Sequence, residues 1–197
     1  ASYFNNLMDV RSIALQYHIP FWNIVVSNQI RAFTTVPSPA NLMLQAYTTL
    51  AAGGKGVSWY TYYSGGYGYA PVDHNDLRTT VWRWLADVNH QVSVLGPYLN
   101  RLASSGVYFT SPPPVDGLPV LPGKLVREAV SDAPLMVGEF ADNNGKPWIM
   151  VVNLSLERSG RVTIKTAAGT DSLETASAET GLISGVNEKY GLWLTAG

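Results

Sequence analysis

Two apolar, strand-like runs separated by one helix-length segment limit the possible folds more than any other feature. FWNIVV covers residues 21–26 and KGVSWYTYY covers residues 55–63. Their near-continuous apolar character predicts strands that are buried on both faces. A strand, a helix and a second strand in this order predict a parallel pair. Because two parallel strands alone leave unpaired edges, this half of the chain is expected to belong to a larger sheet.

Helical patterns flank both runs. Residues 3–17 have apolar side chains at close to helical spacing. Between the runs, Ser38 suits an N-cap and Pro39 suits the first helical position, while the glycines at 53–54 end the helix.

A long helix is predicted after the second run. Its apolar residues recur at alternate spacings of four and three up to about residue 102. Asp73 or Asp76 is the expected N-cap of this helix, because a carboxylate there satisfies free backbone N–H groups and interacts favourably with the helix dipole.

The composition changes after residue 105. Five of the twelve prolines lie between Pro112 and Pro122, which excludes a helix in that segment. The rest of the chain consists of short, often alternating runs separated by turn signals, of which Asn144-Gly145 is the strongest hairpin signal. Residues 106–197 are therefore predicted to form a small antiparallel β-sandwich, distinct from an α/β segment over residues 1–105.

Three segments together resemble a known enzyme family. IPFWNIVVS, ANLMLQAYTTLAAGGKGVSWYTYYS and WLADVNHQVSVLGPYLNRLASSGVYFT are similar in kind and order to the C-terminal part of β-galactosidase-like (β/α)8-barrel glycoside hydrolases of the clan A type. The resemblance implies that residues 1–105 are a partial TIM barrel of about two βα units, holding the seventh and eighth strands. It also implies hydrolysis of a β-linked oligo- or polysaccharide by a carboxylate pair, without a cofactor.

The site of such a barrel lies at the C-terminal ends of its strands. Asn28 follows the first strand there, and Tyr62 and Tyr63 end the second. The resemblance further implies an aromatic residue beneath the bound sugar, for which Trp59 is the candidate and Tyr62 the alternative.

A loop rich in glycine and tyrosine follows the second strand and includes Tyr67 and Tyr69. Aromatic rings suit the flat apolar face of a pyranose, and phenol and indole groups can hydrogen-bond its hydroxyls. The alternative is that the strand aromatics simply fill the core.

The sequence departs from this family at the expected catalytic carboxylates. It implies one carboxylate at the end of the seventh strand, where Ser27-Asn28-Gln29 stand, and no glutamate precedes Glu128. Asp73 and Asp76, with His74 between them, are the nearest candidates for acid and base, and His74 is also a candidate for contact with substrate. Helix capping is the alternative role of both aspartates.

Two further glutamates, Glu128 and Glu139, are predicted to point outward from strands of the second half. No metal site is predicted, and the absence of cysteine argues against structural zinc. The rival function is a non-catalytic carbohydrate-binding fragment that uses the aromatic loop.

Charge and composition narrow the possible partners. The 13 basic residues are scattered and the net charge is −1, which excludes an ordinary nucleic-acid-binding surface. No apolar run approaches the ~20 residues of a membrane span. Charged residues make up 14% of the chain, against a usual ~25%, so we expect part of the surface to be covered by other copies of the chain or by an N-terminal segment. The absence of cysteine is compatible with a location on either side of a cell membrane, so no cellular compartment is predicted.

Overall fold

A computed structural model describes residues 2–167, 172–186 and 191–197. The helices and strands of the first half are α1 Ser2–Gln16, β1 Trp22–Val26, α2 Pro39–Ala51, β2 Gly56–Tyr60 and α3 Thr80–Leu99. Those that follow are β3 Ala103–Phe109, β4 Val126–Val130, β5 Leu135–Ala141, β6 Pro147–Asn153, β7 Gly160–Thr166, β8 Glu174–Ala176, β9 Ile183–Gly185 and β10 Leu192–Leu194. The predicted mixed class, with an α/β first half and a β-rich second half, agrees with these elements. Within the described ranges, no helix is both long enough and apolar enough to cross a bilayer.

Strands β1 and β2 form a parallel pair. Trp22 lies opposite Gly56, and the register continues to Val26 opposite Tyr60. The predicted parallel arrangement is therefore confirmed, and both strands present their carboxyl ends at the same edge.

Helix α2 connects these strands and begins as predicted. The Ser38 side chain accepts a hydrogen bond from the backbone N–H of Asn41 at 3.1 Å, and Pro39 occupies the first turn. Gln45, in the middle of α2, binds both backbone polar groups of Val26. Its Oε1 accepts from the N–H at 2.8 Å, and its Nε2 donates to the carbonyl at 2.9 Å. The helix is thus fixed to β1 by polar contacts as well as by packing.

Only one face of β1 is covered by the described residues. Val25 is buried on the side facing α2, whereas Trp22 and Ile24 are 65% and 73% exposed on the other side. The prediction that β1 is buried on both faces is wrong for these residues, because α2 packs against one side and nothing described covers the other.

The start of α3 also differs from the prediction. The helix begins at Thr80 after an N-cap at Thr79, so capping by Asp73 or Asp76 is wrong. Asp73 instead organises its own turn several residues upstream. At the other end, Lys55 Nζ donates to the carbonyls of Leu99 and Leu102 at 2.8 and 2.7 Å, a favourable place for a cation at a helix C-terminus.

The second half consists of antiparallel strands, as predicted. Their orders are β3-β5-β6, β10-β7-β4 and the pair β8-β9. The β5-β6 hairpin turns at Asn144-Gly145, where Gly145 adopts a positive φ of 79°, so the hairpin prediction is confirmed. Packing of these sheets as a sandwich stays a prediction.

The two halves share a core around α2. One apolar cluster lies between α2 and α3, and the other lies where α1 and the C-terminal end of α2 meet the β3-β5-β6 sheet. The buried members of the second cluster are Leu7, Ala51, Ala52, Val107, Phe109, Met136 and Val152. At ~1.5–3 kcal/mol for each large buried side chain, this cluster is a main source of stability. The predicted boundary at residues 105–106 falls inside β3.

The prediction that Glu139 points outward is wrong. The residue is 0% exposed in the middle of β5, whereas Glu128 is exposed, as predicted, and forms an ion pair with Lys165. The buried carboxylate accepts three backbone hydrogen bonds, from the N–H groups of Lys124, Leu125 and Val126, at 2.8–3.0 Å. It therefore fixes the chain where it enters β4.

Replacement of Gly138 by alanine is expected to destabilise the protein by about 1–3 kcal/mol. A Cβ at this position would overlap the carbonyl group of Ala51, a backbone group at the end of α2 that cannot rotate away. Urea unfolding measures the change. Gly185→Ala is the control, because a Cβ there meets no atom within 4 Å, and an equal loss in both variants would contradict the close helix–sheet contact.

Glu139→Ala is expected to cost roughly 2–5 kcal/mol in the free energy of unfolding, because it leaves three buried N–H groups without their acceptor. Glu128→Ala, which removes an exposed ion pair on β4, should cost no more than ~1 kcal/mol. Both values come from denaturant titrations under identical conditions. Similar small effects would show that the Glu139 contacts do not stabilise the fold.

Candidate functional site

Hydrogen bonds join the carboxyl ends of β1 and β2. Ser27 donates its backbone N–H to the Tyr60 carbonyl at 2.9 Å and its hydroxyl to the Thr61 carbonyl at 3.0 Å. Asn28 Nδ2 donates to Thr61 Oγ1 at 3.2 Å. The peptide bond between Tyr60 and Thr61 is cis. The polar residues that follow β1 are therefore held against the start of the tyrosine-rich loop.

Asn28 lies beneath this edge and not on its surface. The residue is 1% exposed, and its Oδ1 atom has no hydrogen-bond partner. A buried carbonyl oxygen without a donor is costly, so it is suited to accept from a water or a ligand hydroxyl that reaches it. In the described conformation, Asn28 positions Thr61.

The loop after β1 pairs with the tyrosine-rich loop after β2. Gln29 and Gly68 exchange backbone hydrogen bonds at 2.8 and 3.2 Å. The Ser64 hydroxyl closes the second loop on itself by donating to the Tyr67 carbonyl at 2.9 Å. Both loops are thus ordered by internal contacts, which gives the aromatic side chains a fixed support.

Five tyrosines lie at the last residue of β2 and in the loop that follows it; we call this set the tyrosine surface. Tyr60 and Tyr67 form its inner part, with their hydroxyls 2.8 Å apart and their ring centroids 5.7 Å apart. The hydrogen bond with Tyr67 raises the pKa of Tyr60 above that of an ordinary tyrosine. The members of the tyrosine surface are Tyr60, Tyr62, Tyr63, Tyr67 and Tyr69.

The outer part of the tyrosine surface is open to solvent. Tyr62, Tyr63 and Tyr69 are all about half exposed, and Tyr69 adopts a positive φ of 55°. The Tyr62 hydroxyl accepts from Trp82 Nε1 at 3.0 Å. The Arg78 guanidinium lies 4.1 Å from the Trp82 ring centroid, so the aromatic surface extends onto the first turn of α3 with a cation above it.

Trp59 points away from the tyrosine surface. Its indole Nε1 donates to Asn89 Oδ1 on α3 at 2.8 Å, and its ring packs against the cluster between α2 and α3. Successive residues of a strand face opposite sides, so Tyr60, not Trp59, shares the open face with Trp22 and Ile24. Of the predicted sugar contacts, Tyr67 pairs with Tyr60, Tyr62 contacts Trp82 of α3 and Tyr63 is exposed, whereas Trp59 packs in the helical layer.

Comparison with known proteins gave no relative. No family model, no curated protein and no solved structure matches this chain. The function must therefore be inferred from its own residues and geometry.

The two candidate catalytic aspartates lie in a turn between the tyrosine surface and α3. Asp73 Oδ1 accepts backbone hydrogen bonds from Asn75 at 2.8 Å and Leu77 at 3.0 Å. The bond from Leu77, followed by that from Asn75, lowers the pKa of Asp73. Asp76 and His74 are exposed, and Asp76 has a positive φ of 61°. Asp73 is thus an ionised turn-former at neutral pH and is poorly suited to donate a proton.

Tyr60, Trp82 and Arg78 were not predicted as site residues. Strand alternation places Tyr60 on the face opposite to Trp59. Trp82 lies in the first turn of α3, and Arg78 lies just before that helix. Among the described residues, no three His, Asp or Glu side chains come close enough to hold a metal ion.

The Asp73 turn is expected to depend on pH. Because the folded state lowers the pKa of Asp73, the stabilisation by this carboxylate is present above the ordinary aspartate pKa and is lost as pH falls through the lowered value. The amide proton shifts of Asn75 and Leu77, followed by NMR, should change with a midpoint below the ordinary aspartate pKa. Asp73→Ala should abolish this transition, whereas Asp76→Ala should leave it in place.

Proposed function

We propose that the chain binds β-linked carbohydrate on the tyrosine surface, as the C-terminal portion of a (β/α)8-barrel glycoside hydrolase. The observation that carries the proposal is the position of the exposed tyrosines at the carboxyl ends of two parallel strands. Binding sites in α/β barrels lie at that edge, built from the loops that follow the strands. The phenol rings supply flat apolar area, and their hydroxyls supply hydrogen bonds for sugar hydroxyls.

The open face of the β1-β2 pair supports the barrel part of the proposal. Trp22, Ile24 and Tyr60 share this face and are exposed, an arrangement that a closed barrel would bury in its interior. The resemblance assigns β1 and β2 to the last two barrel strands, and the antiparallel second half to the β-sandwich that follows the barrel. Further strands would come from another copy of the chain or from a segment preceding it.

Hydrolysis at the same surface is the second candidate. It is favoured by the location of Asp73 and exposed Asp76 in the turn that follows the tyrosine surface, close in sequence to Tyr69. Glycoside hydrolysis needs one carboxyl group as acid and another as base or nucleophile. Asp73 could act only as the ionised partner, because its pKa is lowered. The geometry therefore supports sugar binding better than cleavage.

Removal of one exposed ring, by Tyr63→Ala or Tyr69→Ala, should weaken binding of a soluble β-linked oligosaccharide about twofold to tenfold, the loss expected for one aromatic contact of ~0.5–1.5 kcal/mol. Calorimetric titration with gluco- and galacto-oligosaccharides measures the dissociation constants. Tyr17→Ala is the control, because Tyr17 is an exposed tyrosine at the end of α1, outside the tyrosine surface.

The same samples should be assayed for hydrolysis of an aryl β-glycoside, measured as release of its phenol, and analysed by size-exclusion chromatography. Binding without turnover supports the carbohydrate-binding role, whereas turnover that Asp73→Asn and Asp76→Asn abolish supports hydrolysis. Equal affinities in all three tyrosine variants, or no saturable binding of any β-linked sugar by the wild-type chain, would refute the role of the tyrosine surface.

A further inference from the structure

A cavity lies at the N-terminal ends of β1 and β2, opposite to the edge that carries the tyrosine surface. Its volume is about 410 Å³, it is open to solvent on one side, and it is lined by the end of α1, the segment leading into β1, the turn before β2 and the start of β3. Ala14, Ile19, Phe21 and Leu102 are among its apolar wall residues. This volume falls within the ~300–1,000 Å³ of ordinary small-molecule sites.

The charges around this cavity are all of one sign. Arg11 and Lys55 are the charged residues of its lining, which also contains His18 and includes no aspartate or glutamate. An apolar chamber with basic groups and no acid is complementary to a ligand that has an apolar body and a negative head.

Arg11 is the basic group with capacity left for a ligand. Its Nη2 donates to the Ser104 hydroxyl at 2.9 Å, which fixes the guanidinium, while its Nε is buried with no hydrogen-bond partner. Neither ion pair found among the described residues involves Arg11. Burial lowers the pKa of Arg11, in keeping with the cost of enclosing an unpaired cation.

The other two basic groups play lesser parts. The Lys55 ammonium already donates two of its three protons to the carbonyls of Leu99 and Leu102, so its main contribution to the cavity is positive potential. His18 is exposed at the end of α1. An anion entering the cavity would therefore meet Arg11 as its direct hydrogen-bonding partner.

We propose that this cavity binds an amphiphilic monocarboxylate, whose head group pairs with Arg11 and whose hydrocarbon chain lies against Ile19, Phe21 and Leu102. A guanidinium can donate two parallel hydrogen bonds to a carboxylate, and Arg11 has no carboxylate partner in either ion pair of the described residues. Contact of the hydrocarbon chain with these apolar side chains removes it from water, which favours binding. The site is independent of sugar binding, because it shares no residue with the tyrosine surface.

Calorimetric titration with sodium octanoate and with octan-1-ol tests the proposal. Octanoate should saturate one site per chain and bind at least tenfold more tightly than the uncharged alcohol of the same chain length. Arg11→Met should weaken octanoate binding roughly tenfold to a hundredfold, the loss expected for a charge-assisted contact. Arg83→Met is the matched control, because Arg83 is exposed on α3 away from the cavity, and it should leave the affinity unchanged.

Ile19→Asp provides a test that spares Arg11. Ile19 is exposed at the cavity wall, so the substitution should leave circular dichroism unchanged while repelling octanoate and reducing its affinity at least tenfold. The proposal is overturned if octanol binds as well as octanoate, if Arg11→Met and Arg83→Met bind octanoate alike, or if folded Ile19→Asp keeps the wild-type affinity.

Discussion

The close contact between α2 and β5 is the constraint on which the rest of the structure depends. Gly138 allows the backbone of β5 to approach the carbonyl of Ala51, so the end of the helix lies directly on the sheet. The same helix packs against α3 on another side and holds β1 through Gln45. One helix therefore sets the position of the parallel strands relative to the antiparallel sheet, and both candidate sites lie at the ends of those parallel strands.

Local signals in the sequence were sufficient for the elements that depend on neighbouring residues. Ser38-Pro39 marked the start of α2, Asn144-Gly145 marked the β5-β6 turn, and the strand-helix-strand order implied the parallel pair. Each of these features is decided by backbone chemistry within a few residues or by the connection between adjacent elements.

Features that depend on distant partners could not be predicted in this way. Glu139 is the one charged residue of the otherwise apolar β5, and only the path of residues 124–126 around it shows that its carboxylate is buried and satisfied. Trp59 was expected beneath a ligand, but the register of β2 directs its indole to Asn89, so the neighbouring Tyr60 takes the open face. Asp73 resembled a cap in sequence, whereas its turn closes before the helix begins.

The two hydrogen bonds between Gln45 and Val26 limit how a further strand can pair with the free edge of β1. Ser27 directs its N–H to β2, so alternation along the strand directs the N–H and carbonyl of Val26 to the opposite, outer edge. Gln45 occupies both groups there, as an added strand would. An incoming strand can therefore pair beside Trp22 and Ile24 but must stop before Val26 or displace the glutamine, which fixes the stagger of any neighbour at this edge.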